Sequence, residues 1–285
     1  MLPPASFRHT AGRCFLLALV ALAPVCQCLA AGQPPQIRIP LSSCLQPLGA
    51  DCVADWGEMV VEALGVSART ESPPALTAAL EARRDALRNL VAAISALRVN
   101  SSSTVGDLAQ AHAAVRQEIA DLARQGEIVS EWRDPSGHIE AIACAPIWNA
   151  EQCVGSIVAR ALAPKEAAEG RRGSTSSAAA PARRLVIDAR GLDVVPALFP
   201  RISDALGRAL FWRVPALCLS GNPFFVYARS VPQPAPEEEL FVVGALRALG
   251  SPPCDIVIPS EPLRAWEEAG IAAEVDSFAQ IVIVY

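Results

Sequence analysis

The sequence predicts an α+β protein of two α/β-layer domains, the first made of helices plus a hairpin, the second of a mixed sheet with a short helix. Three observations carry this reading. From about residue 75 to 98 the large apolar residues recur at helical spacing. The run FAQIVIVY (278–285) is unbroken and apolar, as a strand covered on both faces requires. Between these, residues 164–182 hold Gly, Ser, Ala and Pro with no apolar period, which marks a linker. The expected organisation is a leader over 1–31, an N-terminal domain over 36–163, a linker over 164–182 and a C-terminal domain over 183–285. Strands separated by helices in this order imply a layer sandwich.

The leader comes first. Arg8 and Arg13 form a positive n-region, Phe15 to Val25 an apolar h-region, and Ala30 and Ala31 supply the small residues of a cleavage site. The h-region is shorter than the roughly twenty residues that span a bilayer. Cys26 and Cys28 stand near the position of a lipidated cysteine, but Val25 and Gln27 precede them where a lipobox has a small residue. Ordinary export to the periplasm or the outer membrane is the expectation, with no transmembrane span in the mature chain. Removing Arg8 and Arg13 takes the net charge from −5 to −7. No basic cluster suggests a nucleic-acid face. With 52% hydrophobic and 19% charged residues, the chain can bury a substantial core.

Residues 53–66 read as helical or mixed. Ser72, Pro73 and Pro74 suit a helix start, and Leu76, Leu80, Leu87, Val91, Ile94 and Leu97 give the apolar stripe of a helix to about Arg98. Thr104 can cap a second helix with Asp107 in the capping-box position. Its stripe runs Val105, Leu108, His112, Val115, Ile119, Leu122, and Gly126 stops it. His112 is therefore expected packed at the core margin. EIVSEWR (127–133) and HIEAIACAP (138–146) read as strands about the type I turn DPSG, with His138 a solvated strand end. Beyond the linker, residues 184–189 read as a strand, and 197–203 with 208–212 as a second hairpin around SDALG. VPQPAPEEE reads as a solvated loop, Phe241–Ala248 and Asp255–Ile258 as strands, and Ser260 to Gly270 as a short helix.

The chemistry is sparse. Six cysteines remain after the leader: Cys44, Cys52, Cys144, Cys153, Cys218 and Cys254. An even count in an exported chain suggests disulfides. The short loops favour Cys44–Cys52 and Cys144–Cys153, leaving Cys218–Cys254, among fifteen arrangements that six cysteines allow. No C-x-x-C occurs and mature histidines are few, so no metal site is expected. Neither a G-x-S-x-G elbow nor a phosphate-binding glycine loop is present, and no catalytic or cofactor-binding residue is assigned. The run LVIDARGLDVVPALFPRI poses the one question of chemistry. Alternation puts Asp188 and Arg190 on one side of a strand, Gly191 permits a turn, and Pro196, Pro200 and Arg201 follow. A structural corner is the expectation; a hydrolytic role for Asp188 is the competing one.

In order, ARRDALRNLVAAI, LRVNSSSTVGDL, DPSGHIEAIACAPI, then LVIDARGLDVVPALFPRI, GRALFW, FVVGALRAL, CDIVIP and IVIVY resemble the small outer-membrane lipoprotein family that includes the flagellar basal-disk protein FlgP, in a long form with a C-terminal extension. The resemblance spans residues 75–285 in blocks. It implies an envelope protein that is not an enzyme, uses no cofactor, and acts through surfaces with envelope or flagellar proteins or as a homo-oligomer. A monomeric periplasmic module that binds a ligand or polymer between its two domains is the alternative.

Overall fold

A computed structural model describes residues 44–67, 75–163, 182–211, 214–268 and 278–285, all within one compact unit, Pro40–Tyr285. The expected leader and all but the last residue of the expected linker lie outside the described residues. The fold is α+β.

The N-terminal half holds a five-stranded antiparallel sheet in the order β1 (Leu45–Pro47), β2 (Cys52–Asp55), β3 (Val60–Val66), β7 (Ile139–Pro146), β6 (Glu127–Arg133). Residues 53–66, ambiguous in the sequence, are thus two strands. The hairpin β6–β7 forms around Asp134–Gly137 as expected, the Asp134 carboxylate accepting from the His138 amide at 2.8 Å. One face of the sheet is covered by α1 (Ala75–Ala96).

The core face of α1 differs from the leucine stripe in the sequence. Ala78, Ala79, Ala82, Ala86, Leu90, Ala93, Ile94 and Leu97 are buried, whereas Leu76 and Leu80 are 73% and 52% exposed and Val91 also reaches solvent. The physical reason is close approach. Alanines on the helix meet Gly65 on β3, where an added Cβ would stand 2.0 Å from the Ala86 amide nitrogen and 2.4 Å from the Ala82 carbonyl oxygen. Larger residues cannot sit at that distance, so the leucines fall on the flank. The Asn89 amide donates to the Leu64 carbonyl at 2.8 Å and Asp85 accepts from the Val66 amide at 3.0 Å, fixing the helix to the strand.

Strands β4 (Arg98–Asn100) and β5 (Ser103–Thr104) form a small ladder ahead of α2 (Val105–Ala111). Thr104 caps α2 with Asp107 in a reciprocal capping box, as expected. The second predicted helix nevertheless breaks at His112, whose backbone is extended, and resumes as α3 (Ala113–Arg124). His112 is consequently exposed, not packed at the core margin. His138 is half-buried, its Nδ1 2.9 Å from the Ser67 carbonyl oxygen, where the sequence suggested a solvated strand end. A further helix without a sequence prediction, α4 (Val154–Leu162), begins at Cys153.

In the C-terminal half the single mixed sheet expected from the sequence is two four-stranded sheets. One is parallel, in the order β11 (Phe225–Ala228), β15 (Gln280–Val284), β8 (Ala182–Asp188), β12 (Glu238–Gly244). As its apolar run requires, β15 is central, with Ile281 to Val284 buried. The other is mixed, in the order β10 (Ala209–Phe211), β9 (Ile202–Asp204), β14 (Asp255–Ile258), β13 (Arg247–Leu249). The predicted hairpin around SDALG is β9–β10. The helices are α5 (Ala216–Leu219) and α6 (Ser260–Glu268). Of the expected solvated acidic run, Glu238 and Glu239 instead lie on β12 and pair with Arg184 and Arg183.

One continuous hydrophobic core runs through both halves. Trp56 meets Tyr227 edge-on with ring centroids 5.2 Å apart, and Trp148 meets Phe199 at 5.8 Å. No helix among the described residues is long and apolar enough to cross a membrane.

Candidate functional site

Asp188 stands at the carboxyl end of β8. Its Oδ1 accepts from the Arg190 amide at 3.2 Å and from Arg190 Nε at 2.9 Å, while Oδ2 accepts from Nη2 at 2.6 Å. The guanidinium holds the Asp188 carboxyl below its ordinary range, and Asp188 raises Arg190 in turn. Gly191, at φ +84°, reverses the chain. The backbone closes the corner: Ala189 N–H donates to Val284 O at 2.7 Å and Ala245 N–H to Asp188 O at 2.8 Å. The carboxylate is thus occupied by its own turn.

The motif that follows is a wedge between the halves. Val195 N–H donates to Pro253 O, Leu198 N–H to Arg98 O at 2.9 Å and Phe199 N–H to Val99 O at 2.8 Å. The Tyr227 hydroxyl accepts from the Ala197 amide at 2.8 Å and donates to the Ala197 carbonyl at 3.0 Å. Arg201 N–H donates to Asp255 Oδ1 at 2.9 Å. Pro196 and Pro200 are buried and carry no N–H to satisfy. Asp255, 8% exposed, completes the seam by accepting from the Ser101 hydroxyl at 2.5 Å and the Ser101 amide at 3.4 Å. Arg98 donates to the carbonyls of Asn100 and Ser101, which holds that turn in place.

The cysteines do not pair as the sequence suggested. Cys44, Cys52, Cys153, Cys218 and Cys254 are free thiols, so none of Cys44–Cys52, Cys144–Cys153 and Cys218–Cys254 is formed. In the β1–β2 hairpin Cys44 lies opposite Trp56 and Cys52 opposite Leu48, at the two ends of the ladder. Several strand residues at about 3.3 Å each exceed the ~7 Å Cα separation that a disulfide tolerates. Cys144 alternates with the buried Ala143 and Ala145 and so faces away from α1, while Cys153 caps α4, accepting from the Ser156 amide at 3.4 Å. Among the described residues no group of three or more His, Cys, Asp or Glu could hold a metal ion.

What the molecule presents outward is an edge. Residues 238–249 (EELFVVGALRAL) form β12, the edge of the parallel sheet, and then β13, the edge of the mixed sheet. Ala245 and Leu246 make the crossing, with Leu246 N–H donating to Val257 O at 2.8 Å. Phe241 and Val243 face the core, while Val242 and Leu246 are 54% and 53% exposed and Leu249 is exposed beside them. Beyond the glutamates at its start, Arg247 is the single charge along this edge. Sequence reading took 241–248 for one strand and missed the change of sheet, which only Gly244 hints at.

No protein-family model matches the sequence, and no curated protein matches it either.

Proposed function

We propose that this chain is an exported, non-enzymatic cell-envelope protein with a structural or assembly role, as its resemblance to flagellum-associated outer-membrane lipoproteins implies, and that it associates with a second copy of itself through the edge at 238–249. The observation that carries the reading is that edge: a run of main chain closing two sheets in succession, with Val242, Leu246 and Leu249 open to solvent. Natural proteins cover or charge such edges because unpaired N–H and C=O groups recruit another strand. Here the acidic guard residues sit at one end only, as Glu238 and Glu239, and Arg247 is the one charge beyond them.

That asymmetry selects the pairing. Parallel in-register pairing of two copies would stack Glu238 on Glu238 and Glu239 on Glu239, a repulsive arrangement. Antiparallel pairing about a two-fold axis near Phe241 sets the glutamates at opposite ends, against Val243 and Gly244, and closes after two copies. The occupied carboxylate of Asp188 supports a structural reading of that motif over a hydrolytic one.

The test is light scattering after size exclusion of the native protein and of Val242→Lys with Leu246→Lys. A concentration-dependent dimer that the double substitution abolishes, with unchanged circular dichroism, is the expected result. A monomer at the highest concentration reached removes the edge as the means of association. Cell fractionation with co-purification of neighbours tests the envelope location separately.

A further inference from the structure

We infer that Cys153 and Cys218, free thiols in this structure, are a pair that forms a disulfide on oxidation and then staples the two halves of the molecule, an inference resting on the export proposed above because it requires an oxidising compartment.

Cys153 begins α4 in the N-terminal half and Cys218 lies in α5 in the C-terminal half; the two helices pack together and both thiols are wholly buried. Gly221 closes the turn after α5, its N–H donating to the Cys218 carbonyl at 3.2 Å. A Cβ built on Gly221 would stand 3.5 Å from the Cys153 sulfur and 2.0 Å from the Ala150 carbonyl oxygen, so the Cys153 sulfur lies against the turn that carries Cys218. The same approach is fixed by the Asn149 N–H, which donates to the Gly221 carbonyl at 2.8 Å. Burial pushes the Cys218 thiol up to about 12, opposed by a hydrogen bond with Phe224 and reinforced by Cys153. The other thiols have separate surroundings. That of Cys44 donates to the Tyr227 carbonyl, that of Cys52 to the Asn89 carbonyl on α1, and Cys254 lies near Arg98.

Loop length in the sequence favoured Cys144 as the partner of Cys153 and left Cys254 for Cys218. Neither choice joins the halves as this pair does.

The chemistry is thiol–disulfide exchange with a low-molecular-weight disulfide as oxidant. One cysteine thiolate attacks the oxidant's S–S bond and releases one thiol; the second cysteine then displaces the remaining oxidant thiol and forms the Cys153–Cys218 bond. The protein loses two protons and two electrons, and the oxidant's disulfide takes them up to become two thiols. A buried thiol with a raised pKa is a poor nucleophile, so the bond forms as the chain folds, before the two sulfurs are enclosed.

The experiment refolds the full chain from denaturant in a mixture of reduced and oxidised glutathione, blocks remaining thiols with an alkylating agent, and maps peptides by mass. The expected result is a peptide joining Cys153 to Cys218, with a melting temperature about 5–10 °C higher than that of the reduced protein. Cys153→Ser, which keeps an N-cap oxygen, and Cys218→Ala should each abolish that reductant-dependent difference. Recovery of both cysteines alkylated after oxidative refolding, or their linkage to other cysteines, overturns the inference. Because the refolding needs no export, the two readings fail separately: a cytoplasmic protein whose purified chain still forms the bond would sink the envelope reading and the staple in cells, while the pairing of Cys153 with Cys218 in the fold would stand.

Discussion

Replacing Gly65 with alanine adds one methyl group, and the structure fixes where it must go. The new Cβ would lie 2.0 Å from Ala86 N, 2.4 Å from Ala82 O and 2.6 Å from Ala86 Cα, all backbone atoms of α1. No rotamer change relieves a clash with backbone, so the helix must lift by about 1.4 Å to restore ordinary contact. A gap of that size forfeits much of the dispersion energy under Ala82, Ala86 and Leu90, and it stretches the bonds from Asn89 to Leu64 and from Val66 to Asp85. Overpacking alone costs about 1–3 kcal/mol; with the lost contacts a destabilisation of roughly 3–5 kcal/mol follows. Urea unfolding followed by tryptophan fluorescence and circular dichroism should show the midpoint lowered by roughly 1–2 M with an unchanged slope. Gly244→Ala is the control, since no atom lies within 4 Å of its Cβ position, and so is Leu80→Ala, whose side chain is already 52% exposed. Both should stay within about 0.5 kcal/mol of the native protein. A Gly65→Ala midpoint equal to that of Gly244→Ala would refute the close helix-on-sheet contact.

Asp255→Ala should cost about 2–4 kcal/mol, because it strands the Ser101 hydroxyl and the amides of Ser101 and Arg201, and thermal melting reads this directly. Tyr227→Phe removes the hydroxyl that bonds both polar groups of Ala197 and should lose about 1–2 kcal/mol in the same assay. Burial, with Asp55 adding to it, holds the Glu62 carboxyl above its ordinary value of 4.5, so the folded chain binds that proton more tightly than the unfolded one. Stability from this group is therefore lost as pH rises from the ordinary value through the raised one. Glu62→Gln should be more stable than the native protein at neutral pH, with the advantage vanishing in acid below 4.5, as urea midpoints across a pH series will show.

The elements legible in the sequence are those whose own residues decide them. The capping box at Thr104 and Asp107, the turn at Asp134–Gly137 and the central strand β15 are each set by local chemistry or by an unbroken apolar run. What escaped depends on partners far along the chain. The period of α1 was readable, but its buried face was not: the leucines were the louder signal, while Ala78, Ala82, Ala86 and Ala93 meet a glycine on a strand whose position the helix cannot announce. His112 continued the apolar stripe by count, yet it occupies the joint where α2 ends and α3 begins. The start of α4 was hidden because its cap is a cysteine, outside the usual cap residues. Cysteine parity gave a number of thiols and nothing about distance, and the short-loop pair Cys44–Cys52 fails because the β1–β2 ladder holds its two members at opposite ends.

Three of the runs that carry the resemblance meet in one place. Residues 98–104, 195–201 and 254–256 meet in the seam around Asp255, where the amides of Val195, Ala197, Leu198, Phe199 and Arg201 are all bonded within the molecule. Every backbone N–H of 195–201 is thus bonded within the molecule, and Pro196 and Pro200 have none to offer a partner. The edge at 238–249 is the reverse: its outward main chain is unpaired among the described residues, and its apolar side chains face solvent. The two regions should therefore separate under mutation. Changes in 195–201 should lower the melting temperature and weaken association only through unfolding. Changes at Val242 and Leu246 should weaken association while leaving the melting temperature of the monomer in place. If substitutions in the wedge altered association in a fully folded protein, the division between an inward-facing motif and an outward-facing edge would be wrong.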